Sequence, residues 1–200
     1  MDKYPLIHIE GKISRIYFPS GKIKDGGTCS FATKKCLKEC GSSTTNVREK
    51  YVYAFISQKN IFEICSRIYE EYIKSKTKLL QWFESGDCPK KDTNRIIEII
   101  ELLSKQKIPQ FGFTRNRKLW EKVNEFDNVN FVLSVENRTR AENLSEKGCI
   151  AVPNYKTGKI KLYKSLEYVG SCGGAWYELE DVVLENNCYK CYEKNRGCFS

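Results

Sequence analysis

Three cysteines stand close together near the front of the chain: Cys29, Cys36 and Cys40 in the stretch TCSFATKKCLKEC, just after the Gly26-Gly27 pair. Thiolates are the usual ligands of iron–sulfur clusters, and a three-thiolate set leaves one iron with an open position for chemistry. The competing assignments are buried apolar residues, since free cysteine is among the most buried residue types, or half of a zinc knot. The loop around these cysteines is polar and basic (Thr33, Lys34, Lys35, Lys38, Glu39), unlike a core segment, and we read it as a metal site.

A second set lies in the tail, where Cys172 precedes Cys188, Cys191 and Cys198 at spacings of 15, 2 and 6 residues. Four thiols close a tetrahedral Zn2+ site or fill a second [4Fe-4S] cluster without leaving a vacancy. Such a site is expected to hold the segment 170–200 in place, because little apolar sequence there could do so. Disulfides are the alternative. They belong to small secreted domains, and the opening MDKYPLIHIEGK shows no apolar run of signal-peptide length, so the expectation is a cytoplasmic protein with reduced thiols. No segment reaches membrane-spanning length, and no membrane partner is expected. Of the ten cysteines, Cys65, Cys88 and Cys149 remain; Cys65 reads as core, and Cys88, next to Asp87 at the expected active edge, as incidental, a reactive thiol or a further ligand being the alternatives.

These groups need a scaffold, and 200 residues with 40% hydrophobic content can form one domain, 1–200, around one core. Net charge is +9, from 34 Lys and Arg against 25 Asp and Glu, a balance that can attract nucleic acid. The basic residues are scattered among acids rather than gathered in one run. A single histidine, His8, argues against most zinc-hydrolase and His-based acid–base schemes and reads as part of the first strand.

Along the chain, Leu6–Ile23 alternates like a β-hairpin, and the polar run GSSTTNVREK reads as the start of a short helix. Tyr51–Ile56 is β-branched and aromatic, so we expect a buried strand there, a helix being the alternative. A long amphipathic helix is expected from Asn60, its pattern continuing through Leu79, Leu80, Trp82 and Phe83 to the loop FESGDCP. Asp92–Lys107 reads as helix capped at Asp92 or Thr93, Ile108–Thr114 as strand, Lys118–Phe126 as helix, Val129–Val135 as strand, Thr139–Lys147 as helix and Cys149–Val152 as a last strand ended by Pro153.

Strands separated by helices imply βαβ units with right-handed crossovers, hence an α/β fold with mostly parallel strands. In such folds functional residues gather where the strands end. That rule selects Ser85-Gly86-Asp87, Thr114-Arg115-Asn116-Arg117, Ser134-Val135-Glu136-Asn137 and Pro153-Asn154-Tyr155, all on one edge if the sheet is parallel.

Taken in order, the cysteine loop, the Ser85-Gly86-Asp87 turn, the strand FGFTRN (Phe111–Asn116), the strand and loop VLSVEN (Val132–Asn137) and the terminal cysteines resemble the phage and archaeal "gene product eighty-eight" domain family, a compact relative of radical SAM enzymes. The resemblance spans about Cys29 to Cys198. It implies a partial (β/α) TIM-like barrel whose N-terminal loop carries a [4Fe-4S] cluster on Cys29, Cys36 and Cys40. S-adenosylmethionine would bind the open iron, and its reductive cleavage would give a 5'-deoxyadenosyl radical. On this carry-over Gly86 and Asp87 match the turn that holds the methionine amine, while Ser134, Glu136 and Asn137 face its methionyl or ribose part. The spacing here, C-x6-C-x3-C, is longer than the C-x3-C-x2-C usual in that superfamily.

Three functions follow as expectations. The first is an iron–sulfur enzyme of radical SAM type, served by an electron donor such as a ferredoxin or flavodoxin. The others are a zinc-stapled basic α/β module binding nucleic acid, and an iron–sulfur electron carrier.

Overall fold

The computed structural model describes residues 4–40, 46–144, 150–154, 159–164 and 167–172. Cys188, Cys191 and Cys198, and with them most of the expected C-terminal metal site, lie outside the described residues, as does Cys149.

The fold is α/β, built on an eight-stranded sheet whose spatial order follows the chain. Strands β1 (His8–Glu10) and β2 (Ile13–Ile16) form the expected antiparallel hairpin, with His8 on the first strand. Next come the short helix α1 (Lys34–Lys38), α2 (Val47–Gln58), α3 (Ile61–Ser75) and β3 (Leu79–Trp82). Then α4 (Thr93–Lys105), β4 (Gln110–Thr114), α5 (Arg117–Val123), β5 (Val129–Ser134), α6 (Arg138–Leu144) and β6 (Ile150–Asn154) alternate. Strands β2 to β6 are parallel; β7 (Lys159–Lys164) and β8 (Glu167–Cys172) add an antiparallel meander.

Four expectations change. Tyr51–Ile56 is helical, because Asn46 and Glu49 form a reciprocal capping box that starts α2 just ahead of it. The helix from Asn60 stops at Ser75 rather than running to Phe83. Lys76 takes a left-handed conformation, and Leu79–Trp82 pairs with β2 as a strand buried on both faces, whose continuous apolar run cannot be told from helix by periodicity. Pro153 and Asn154 do not follow the last parallel strand but belong to it, paired with Ile160 and Lys159. The β7–β8 hairpin is an addition to the expected strands, although Lys159–Leu162 alternates charged and apolar residues over four positions.

The register explains the core. Ile16, Trp82, Gly112 and Phe131 are successive cross-strand neighbours, so they share one face. The three large side chains among them pack with Ile64, Ile68, Ile96, Ile100, Leu103 and Leu119 of the helices in a single buried cluster. A side chain of this size contributes about 1.5–3 kcal/mol when fully buried. At Gly112 a Cβ would stand 2.7 Å from the Phe131 ring, so the glycine makes room for the aromatic beside it. Buried Gln110 is satisfied on both sides: its Oε1 accepts from Trp82 Nε1 at 2.9 Å and its Nε2 donates to the Ile100 carbonyl at 2.9 Å. Cys65 is core, as expected, at 3% exposure. Among the described residues no helix is long and apolar enough to cross a membrane.

Candidate functional site at the strand ends

The segment between β2 and α1 folds back on itself to carry Cys29. Thr28 donates both its N–H and its hydroxyl to the Pro19 carbonyl at 2.8 Å, and Cys29 donates its N–H to Gly21 O at 3.0 Å. Gly27 runs so close to Gly21 that a Cβ there would lie 2.3 Å from the Gly21 carbonyl oxygen. Thr33 then caps α1 by accepting from Cys36 N–H at 3.2 Å, and Cys40 follows the helix.

This loop is stitched to the turn after β3. Phe18 N–H donates to Ser85 O, the Ser85 hydroxyl shares its one proton between Phe18 O and Glu49 Oε1, and Asp87 N–H donates to Thr28 Oγ1 at 3.2 Å. Gly86 sits at φ +73°, and a Cβ on it would meet Phe18 O at 2.6 Å and Thr28 Oγ1 at 2.7 Å. Only glycine joins the two loops this closely.

The Asp87 carboxylate extends the connection to the end of β4. It accepts from Cys88 N–H at 2.7 Å, Thr114 Oγ1 at 2.6 Å and Arg115 N–H at 2.9 Å. Burial raises its pKa from 3.8 to about 6, with the three donors holding it back. Asn116, also buried, donates to Thr93 Oγ1 at 2.7 Å and caps α5 by accepting from Leu119 N–H. Ser85, Gly86, Asp87, Thr114 and Asn116 therefore form one hydrogen-bonded unit beside the cysteine loop.

The remaining predicted residues share the edge but not the unit. Ser134 ends β5 opposite Ala151, Glu136 is exposed, and exposed Asn137 caps α6 by accepting from Arg140 N–H at 2.9 Å. Pro153 lies in β6, and Cys172 ends β8 on the antiparallel side of the sheet. Cys88 is fully buried, with its thiol pKa pushed up by burial and by Asp87, and its Sγ lies 3.5 Å from Asn116 Nδ2. It is a packing residue.

Cys29, Cys36 and Cys40 form no disulfide, and each is partly exposed. Burial pushes the Cys29 thiol up to about 12, followed by the Asp87 charge, while the Gly21 backbone lowers it and Cys36 and Cys40 raise it further. Among the described residues no group of three or more His, Cys, Asp or Glu side chains is gathered tightly enough to hold a metal ion. The donor type is one a cluster takes, three cysteines outside any disulfide on one loop, and in this conformation they are not gathered as a ligand set.

Two features escaped the sequence. Lys90, Lys91, Arg115, Arg117, Lys118 and Arg140 line one cleft of about 470 Å³ at this same edge. Basic residues scattered along the chain are gathered in space. On the sheet face opposite the core cluster, Arg15 pairs with Glu10 at 2.7 Å and Glu84 at 3.2 Å, and burial raises the Glu84 pKa. Arg15 Nε and Gln81 Oε1 are buried there without a partner among the described residues. No periodicity marks either group, because each assembles from separate strands and loops.

Comparison with protein families, with curated proteins and with solved structures finds no match for this chain.

Proposed function

We propose that this is a cytoplasmic iron–sulfur protein of radical SAM type, in which Cys29, Cys36 and Cys40 hold a [4Fe-4S] cluster at the mouth of a partial (β/α) barrel. The observation that carries the reading is the placement of three cysteines, none in a disulfide, on the segment after β2, at the carboxyl edge of five parallel strands wound in chain order. Winding in one direction without a switch point is the strand order of a barrel, and the carboxyl edge is where barrels carry their chemistry. The resemblance drawn from the sequence supports the same assignment.

When bound, such a cluster supplies the electron for reductive cleavage of S-adenosylmethionine. The chain's own residues do the positioning. Asp87 is a positioning residue: its carboxylate, engaged by Cys88, Thr114 and Arg115, ties the turn to the end of β4, while its N–H donates to Thr28 of the cysteine loop. Glu136 is exposed on the same edge, outside that bonded unit. Cys172, Cys188, Cys191 and Cys198 would hold the second [4Fe-4S] cluster or Zn2+, a reading that rests on their spacing, and a ferredoxin or flavodoxin would deliver electrons.

Anoxically purified protein is expected to be coloured and to contain iron and inorganic sulfide in equal amounts. Adding S-adenosylmethionine should change the EPR signal of the reduced cluster. A colourless preparation holding zinc and no iron would overturn the proposal, and an intact cluster indifferent to S-adenosylmethionine would leave an electron carrier.

A further inference from the structure

The basic cleft is not explained by a cluster site. Six of its ten lining residues are Lys or Arg, none is acidic, and the six come from three separate segments: the turn before α4, the stretch from the end of β4 into α5, and α6. Like charges gathered in a concave surface repel one another and focus a positive field that an anionic ligand relieves. The acids nearest in sequence offset part of that charge, at Arg117 and at Arg115, and leave the rest in place. Asp92 turns its Oδ2 to the Tyr53 hydroxyl at 2.7 Å, Asp87 is buried among its own donors, and Glu121 accepts from Arg117, Nε to Oε1 at 2.9 Å. Lys118 donates to the neutral Asn94 side chain.

An aromatic side chain joins the cations. Phe31, two residues beyond Cys29, lines the cleft, and Lys90 N–H donates to Ser30 Oγ at 3.0 Å, so the wall of the cleft is the cysteine loop itself. Cations spread over several segments suit more than one phosphate, and a half-buried aromatic ring beside them suits a base.

We propose that this cleft binds consecutive phosphate groups of a nucleotide or a nucleic-acid strand, with Phe31 against the base. The site stands without the cluster; if the cluster is present, the phosphate-bearing ligand lies beside it and is the substrate class.

The test is fluorescence anisotropy of the full chain with labelled oligothymidylates of increasing length, titrated with salt, and with ATP as competitor. Lys90 and Arg140 are exposed, so the double variant Lys90→Gln/Arg140→Gln is expected to fold, with circular dichroism as the check. It should bind about tenfold more weakly at low salt, and its log–log salt slope should fall by about 1.4, or about 0.7 for each single-strand phosphate no longer neutralised. The charge-conserving Lys90→Arg/Arg140→Lys should bind like the parent, as should Lys74→Gln on the exposed face of α3. Affinity that grows with length while ATP competes poorly identifies a strand; equal competition by ATP identifies a mononucleotide. No binding of either probe at low salt, or equal binding by parent and Gln variants, overturns the site. Binding retained in Cys36→Ala separates this site from the cluster.

Discussion

Three donors from two loops end on the Asp87 carboxylate, and its 5% exposure leaves little room for water to replace them. Asp87→Ala strands the Cys88 and Arg115 N–H groups and the Thr114 hydroxyl, a loss expected to reach about 3 kcal/mol in urea denaturation. The same carboxyl predicts a pH trend of defined sign. Its pKa rises on folding from 3.8 to about 6, so the folded chain binds the extra proton between those values. Its contribution to stability therefore declines as pH climbs from about 4 to about 6 and is flat on either side. Asp87→Ala should remove that decline, and a parent protein whose stability is unchanged or rises through the Asp87 window, once other carboxyls are accounted for, contradicts it. The thiol of Cys29 shows the same dominance of burial at a group that must ionise to bind metal.

At the scale of elements, tight turns rather than helices set the spacing of the site. Gly86→Ala would force a Cβ against Phe18 O and Thr28 Oγ1 in a conformation that side chains disfavour. We expect a loss of about 2 kcal/mol or more and faster amide exchange across residues 17–40, measured by mass spectrometry. If exchange rises uniformly over the chain instead, the turn is not what anchors the cysteine loop. Helix α2 offers a milder perturbation. Asn46→Ala breaks the capping box, with an expected cost of about 1 kcal/mol. Because Glu49 also accepts from Ser85 Oγ, the loss should couple non-additively with Ser85→Ala in a double-mutant cycle.

For the molecule as a whole, ligand binding and stability are linked. A cluster bound only by the folded chain adds its binding free energy to stability, so reconstitution with iron and sulfide should raise Tm in the parent. Cys36→Ala should lose the part of that rise owed to the front loop and keep any part owed to the tail. Loss of all metal from this one substitution would contradict two independent sites. The basic cleft adds a second whole-molecule property, since it collects into one field part of the positive charge that makes the chain +9 overall.

Local pattern was sufficient for much of this architecture. The apolar stripe of α4 and the strands FGFT and VNFVLS obey short-range rules of period and branching that act within a few residues. From these the alternation of strand and helix, and with it the common edge carrying Ser85, Thr114 and Asn116, could be read directly. What needed the folded chain was everything decided by partners far along it. Leu79–Trp82 is a strand only because β2 and β4 flank it, and Tyr51–Ile56 is a helix because its cap outweighs β-branched composition. Asp87 is a tie rather than an exposed acid because Thr114 and Arg115 reach it across 27 and 28 residues. The six cations of the cleft, in three groups separated in sequence by acids, share a field only once those three segments meet at the carboxyl ends of the strands.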